Sequence, residues 1–101
     1  MKQWTKEEFL QKLVSGEKGA FYLFTPMCGT CQVASKMLSI VSELLPEFSL
    51  GKADLNYIPE IAEDYQVESV PCLLIFDRQM IKEKIYAFQS VPYLYEKLKQ
   101  L

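Results

Sequence analysis

The pattern of apolar segments predicts an α/β fold, with a central mixed sheet of four or five strands and helices on both faces. Three observations carry this expectation. Ala20-Phe21-Tyr22-Leu23-Phe24 and Val70-Pro71-Cys72-Leu73-Leu74-Ile75-Phe76 are apolar without polar alternation, as strands buried on both faces are. Segments with apolar residues at helical spacing separate them. The resulting order is helix, strand, helix, strand, helix, strand, strand, helix, which suits one sheet covered on both sides.

The first helix starts at Thr5, because Glu8 three residues later completes a capping-box signature. Phe9, Leu10, Leu13 and Val14 give it an apolar face, and Ser15 to Gly19 form the turn that ends it. Residues 20–25 are the first buried strand. Lys2-Gln3-Trp4 could add a short strand ahead of the helix, hence four or five. A second helix runs from about Gly29 to Leu45 and is closed by Pro46. Val33, Met37, Ile40 and Leu44 line one side; Ala34, Leu38, Val41 and Leu45 line the next. Gln32, Ser35, Lys36, Ser39, Ser42 and Glu43 are left for solvent.

Phe48 to Asp54 reads as a strand, and a short helix near Pro59–Tyr65 opens with proline in its first turn. After the strand from Val70 to Phe76, Asp77-Arg78-Gln79 makes a hairpin turn. Ile81 to Phe88 is the partner strand, and Lys82, Glu83 and Lys84 suit an exposed edge. Ser90 and Pro92 begin a last helix with Val91, Leu94, Tyr95, Leu98 and Leu101 inward. No repeat or linker interrupts residues 1–101, so a single domain is expected.

Composition narrows the function. The chain has 101 residues, half of them apolar, and a net charge of −2. No Lys/Arg cluster suggests nucleic acid. No stretch approaches the ~18 apolar residues of a membrane span. The polar N-terminus has no apolar signal core, and three cysteines are too few for a secreted disulfide framework. A reducing, cytoplasmic setting and a monomer are expected.

In such a setting, Cys28-Gly29-Thr30-Cys31 reads as redox or metal chemistry. It falls between a buried strand and a helix. With Cys28 as the helix cap, free N–H groups and the helix dipole stabilise its thiolate. Cys31, three positions on, shares that face. Gly29 lets a partner approach the backbone, and Met27 puts apolar surface beside the sulfur. The chain has no His and only one further cysteine, short of the four ligands of a structural zinc site. No cofactor or metal is therefore expected. Cys72 is either an ordinary buried thiol or, through its neighbour Pro71, a redox partner.

With Phe24-Thr25-Pro26-Met27-Cys28-Gly29-Thr30-Cys31, Lys52-Ala53-Asp54 and Val70-Pro71 in place, the chain resembles the thioredoxin family over nearly its whole length. The resemblance implies a thioredoxin-like fold and a thiol–disulfide oxidoreductase. Cys28 is then the nucleophile and Cys31 the resolving thiol. Pro71 would be cis and pack on the disulfide, and Val70 would offer backbone hydrogen bonds to an extended substrate. Partners would be disulfide-containing proteins and a separate reductase or low-molecular-weight thiol. The alternative is a thioredoxin-fold module that binds peptides without turnover.

Several residues depart from the family pattern. Thr30 stands where proline is usual, which in the family generally makes the pair less reducing. Tyr22 replaces a buried Asp that helps to deprotonate the resolving thiol, leaving that step slow or served by water. Tyr22 is then either core or a proton relay through its hydroxyl. Lys52 matches that carboxylate's partner and is either semi-exposed or an electrostatic contributor. Lys36 replaces a helix-kinking proline, so a straighter second helix is expected. Ala87 replaces a groove-lining glycine, which narrows the groove.

Overall fold

A computed structural model describes residues 1–101. Five strands and four helices build the fold: β1 (Lys2–Gln3), α1 (Lys6–Val14), β2 (Gly19–Phe24), α2 (Gly29–Leu44), β3 (Ser49–Asp54), α3 (Pro59–Asp64), β4 (Cys72–Asp77), β5 (Met80–Ile85) and α4 (Val91–Lys99). A single 3₁₀ turn at Leu55–Tyr57 links β3 to α3. The sheet order is β1-β3-β2-β4-β5. β1 and β2 run parallel to β3, while β4 is antiparallel to β2 and to β5. The sheet is mixed and five-stranded, and β2 is its middle strand, which explains the unbroken apolar run there.

Each face of the sheet has its own core. On one side Phe9 and Leu13 of α1 and Ile61 of α3 pack on Trp4, Phe21, Leu23, Ala53, Cys72, Leu74 and Phe76. Aromatic stacking organises this side, with Phe9 and Phe21 centroids 4.5 Å apart and Trp4 5.6 Å from Phe21. On the other side Ala34, Leu38 and Val41 of α2 and Leu94 and Leu98 of α4 cover Ala20, Tyr22, Leu50, Leu73, Ile75 and Ile85. Alternate strand residues face opposite sides. Tyr22 and Leu73 therefore belong to the α2 side, Cys72 and Leu74 to the α1 side.

Local chemistry sets the element ends. Thr5 accepts from the Glu8 N–H at 3.1 Å and the Glu8 carboxylate accepts from the Thr5 N–H at 3.0 Å, so the capping box forms as expected. Arg78 and Gln79 join β4 to β5 with φ of 52° and 67°; positive φ at both positions suits the twist of a two-residue hairpin. α2 is uninterrupted through Lys36 and stops before Pro46.

Some expected boundaries and faces differ. β5 ends at Ile85 rather than Phe88, because Gln89 takes a φ of 60° and Phe88 turns into the α2-side core. Val70 and Pro71 precede β4, joined by a cis peptide bond. The Val33, Ile40 and Leu44 side of α2 is exposed, because the sheet contacts only the Ala34–Leu38–Val41 side. Met37 alone of that row packs partly against the core. Val14 is exposed at the end of α1. Tyr93, not Tyr95, packs against the α2-side core, and the Lys99 amine lies 5.4 Å from the Tyr95 ring centroid. No helix is long and apolar enough to cross a membrane.

Candidate active site

β2 ends at Phe24, and Thr25 to Met27 turn the chain into α2. This turn delivers Cys28 to the N-cap of α2 and Cys31 to its first turn. The two are joined as a disulfide, with Cα atoms 5.1 Å apart. The Cys31 N–H donates to the Cys28 sulfur at 3.1 Å, so a free backbone donor of the helix start points at this sulfur. The Thr30 hydroxyl lies 3.3 Å from the same sulfur. No acidic residue occupies the first turn of α2 to oppose negative charge there.

Exposure separates the two cysteines. Cys28 is half-buried, whereas Cys31 is 2% exposed. Met27 is 97% exposed beside Cys28, and Gly29 and Thr30 are exposed too. A Cβ at Gly29 would meet nothing within 4 Å, so the space above it is open to an incoming chain.

A groove of 480 Å³ adjoins the pair. Thr30, Val33 and Met37 of α2 form one wall, and Val70, Pro71 and Ala87 contribute to the other. Its remaining lining residues are also uncharged. Of the expected site residues, the structure thus gathers Cys28, Cys31, Met27, Gly29 and Thr30 at the helix start. Val70 and Pro71 lie across the groove from Thr30.

Lys52 is not part of this group. It is half-buried, its amine lies 5.9 Å from the Phe24 ring centroid, and it makes no ion pair. It lines a separate 830 Å³ cavity with Trp4, Asp54 and Glu60. Tyr22 is fully buried in the α2-side core, and burial pushes its hydroxyl pKa upward. That hydroxyl donates to the Cys31 carbonyl at 2.8 Å and lies 2.9 Å from the Ser35 hydroxyl. Ser35, expected at the solvent, is half-buried as a result. Only its position one helical turn beyond Cys31 hints at this in the sequence. Cys72 is fully buried on the opposite face of the sheet, and burial raises its thiol pKa to about 11.

A strand-to-helix turn presenting a Cys-x-x-Cys disulfide, beside a cis proline that opens a neighbouring strand, defines a dithiol redox protein of the thioredoxin type. The thioredoxin family model matches residues 1–100, and the chain belongs to that family. It is 54% identical over 79 residues to the thioredoxin-like protein YusE of Bacillus subtilis, covering 78% of this chain and 74% of that one. It is 31% identical over 72 residues to a thioredoxin of Chlamydia trachomatis, covering 71% and 70%. Among solved structures, oxidised mitochondrial thioredoxin 3 of Saccharomyces cerevisiae superposes with a TM-score of 0.86 at 20% identity, covering 100% of this chain and 95% of that one. A mutant thioredoxin of Halobacterium salinarum gives 0.85 at 18% identity, covering 99% and 88%. Family, fold and the bonded Cys28–Cys31 pair make the protein a thiol–disulfide oxidoreductase. Binding without turnover is not favoured when the dithiol is intact.

Proposed function

We propose that the protein reduces or exchanges disulfides in other proteins, with Cys28 as the attacking thiol and Cys31 as the resolving one. The observation that carries these roles is the contrast at the helix start. Cys28 is accessible and accepts the Cys31 N–H, whereas Cys31 is buried. A donor aimed at the Cys28 sulfur favours its thiolate, the attacking species. Cys28 thiolate attacks a substrate sulfur, and the first substrate thiolate leaves. Cys31 then loses its proton and attacks Cys28, the second substrate thiolate leaves, and the pair is oxidised. Met27, Gly29, Val70 and Pro71 border the place where that substrate segment would lie. The uncharged groove favours segments with apolar residues beside the cysteine. Thr30 supports the Cys28 sulfur through its hydroxyl.

Two electrons must return to the pair after each cycle. A separate reductase or a low-molecular-weight thiol in the cytoplasm supplies them in this scheme, as the family relationship suggests. Insulin reduction in the presence of dithiothreitol tests the roles. Cys28→Ser should show no activity above dithiothreitol alone. Cys31→Ser should accumulate a mixed disulfide with the substrate, visible by intact mass. If Cys31 alkylates faster than Cys28 in the reduced protein at neutral pH, the two roles are reversed.

A further inference from the structure

We propose that Tyr22 and Ser35 act as a hydroxyl clamp that positions Cys31 for attack on the mixed disulfide, a role that rests on Cys31 being the resolving thiol. The direction of the hydrogen bonds follows from counting protons. The Cys31 carbonyl has none, so Tyr22 donates to it across 2.8 Å. A phenol has one proton to give. At the 2.9 Å contact Ser35 is therefore the donor and Tyr22 the acceptor. The chain runs from Ser35 of α2 through Tyr22 of β2 back to Cys31 in the first turn of α2.

The hydroxyl does something that packing alone does not require. Tyr22 is the only polar side chain among the twelve buried residues of the α2-side core. Its ring stacks on Phe24 at 5.6 Å and meets Phe88 edge-on at 5.8 Å, contacts that phenylalanine could also make. The hydroxyl adds a link from β2, the middle strand, to the first turn of α2, where the backbone N–H groups have no intrahelical partners. Cys31 is held from both sides of its α-carbon: Tyr22 grips its carbonyl, and its N–H reaches Cys28.

This link matters most in the mixed disulfide. There the bond between Cys28 and Cys31 is absent, and the first turn loses that tether. Cys31 gives its proton to solvent, and its thiolate attacks the Cys28 sulfur. The Cys28–Cys31 bond forms, the Cys28–substrate bond breaks, and the electron pair leaves on the substrate sulfur, which is then protonated by water. Attack needs the two sulfurs aligned at about 3–3.5 Å, and a displacement of about 1 Å can cost about 10²-fold. Tyr22 touches no reacting atom; it is a positioning residue.

The test uses Ellman's reagent with the reduced protein in stopped flow. Attack by Cys28 releases one thionitrobenzoate, and resolution by Cys31 releases a second, so the two steps are read separately. Tyr22→Phe should slow the second release about tenfold and leave the first unchanged, as a loosened resolving thiol requires. Ser35→Ala should slow the second release in the same sense. Combined with Tyr22→Phe it should add nothing, since Ser35 acts through Tyr22. An unchanged second release in folded Tyr22→Phe overturns the clamp, and so does equal slowing of both steps. Should Tyr22→Phe fail to fold, Ser35→Ala decides: no slowing of its second release also overturns the clamp. Failure of the underlying role looks different, because with Cys31 as the attacking thiol Cys28→Ser would keep a fast first release.

Discussion

Cys72 follows Pro71 in the chain, yet its sulfur lies across the sheet from the disulfide, among Phe9, Ile61 and Leu74. One step along a strand reverses the face a side chain takes, so adjacency to the groove-lining proline does not bring this thiol to the groove. Burial raises its pKa from 9.0 to about 11, so at neutral pH almost none is thiolate. Native Cys72 should therefore resist iodoacetamide while reduced Cys28 labels, and Cys72→Ala should keep its activity on insulin. Rapid native labelling would contradict the burial. The shift also sets a sign for stability. The native state holds this proton more tightly than the unfolded chain, so its contribution is complete below pH 9 and falls as the pH rises to about 11. The two-unit difference corresponds to about 3 kcal/mol. Urea midpoints on either side of this window should drop less in Cys72→Ala than in the parent. Equal drops would mean that other groups account for the alkaline loss.

The helix α2 shows what a sequence pattern reveals and what it leaves open. Eight apolar positions suggested a wide buried face, but the sheet covers only one side. Leu38 is fully buried, while Ile40 and Leu44 are about half exposed. Leu38→Ala should cost about 2–5 kcal/mol, the range for a leucine removed from a packed core. Ile40→Lys should change stability by less than about 0.5 kcal/mol, as substitutions at exposed positions do. Chemical denaturation of both variants checks the assignment, and a large loss in Ile40→Lys would place that side chain in an interface. The succession of helices and strands, the capping box and the Cys-x-x-Cys turn are legible because each rests on residues close in sequence. The end of β5 was not, because Tyr86 and Ala87 read as strand while Phe88 is drawn into a core built by distant elements. Ser35 was missed for a similar reason. Its partner sits thirteen residues away on β2, and a helical wheel shows only that it lies beside the core. Lys52 matches the family lysine that partners a carboxylate this chain lacks, and its amine lies over the Phe24 ring instead.

Across the whole molecule, the two cores divide stability from chemistry. The disulfide sits at the start of α2, above the core that contains Tyr22. Trp4, the only tryptophan, belongs to the other core, stacked on Phe21 on the far side of the sheet. It closes over Gly51, where an added Cβ would overlap the indole ring. The Trp4 backbone N–H also donates to the Lys52 carbonyl at 3.0 Å, which ties the N-terminal segment to β3. Gly51→Ala would force the indole away from the sheet, and overpacking of this kind costs about 1–3 kcal/mol. Its thermal midpoint should fall, while the equilibrium of the Cys28–Cys31 pair against glutathione should match that of the parent, because no part of the displaced packing touches α2. The same geometry governs fluorescence. Met27, not an aromatic residue, flanks Cys28, so the indole emission should report unfolding but stay nearly constant when the disulfide is reduced. Emission recorded before and after dithiothreitol, and then through a urea titration, separates the two responses. A large change on reduction alone would show that the cores are coupled through the sheet, and Gly51→Ala would then be expected to shift the redox equilibrium as well.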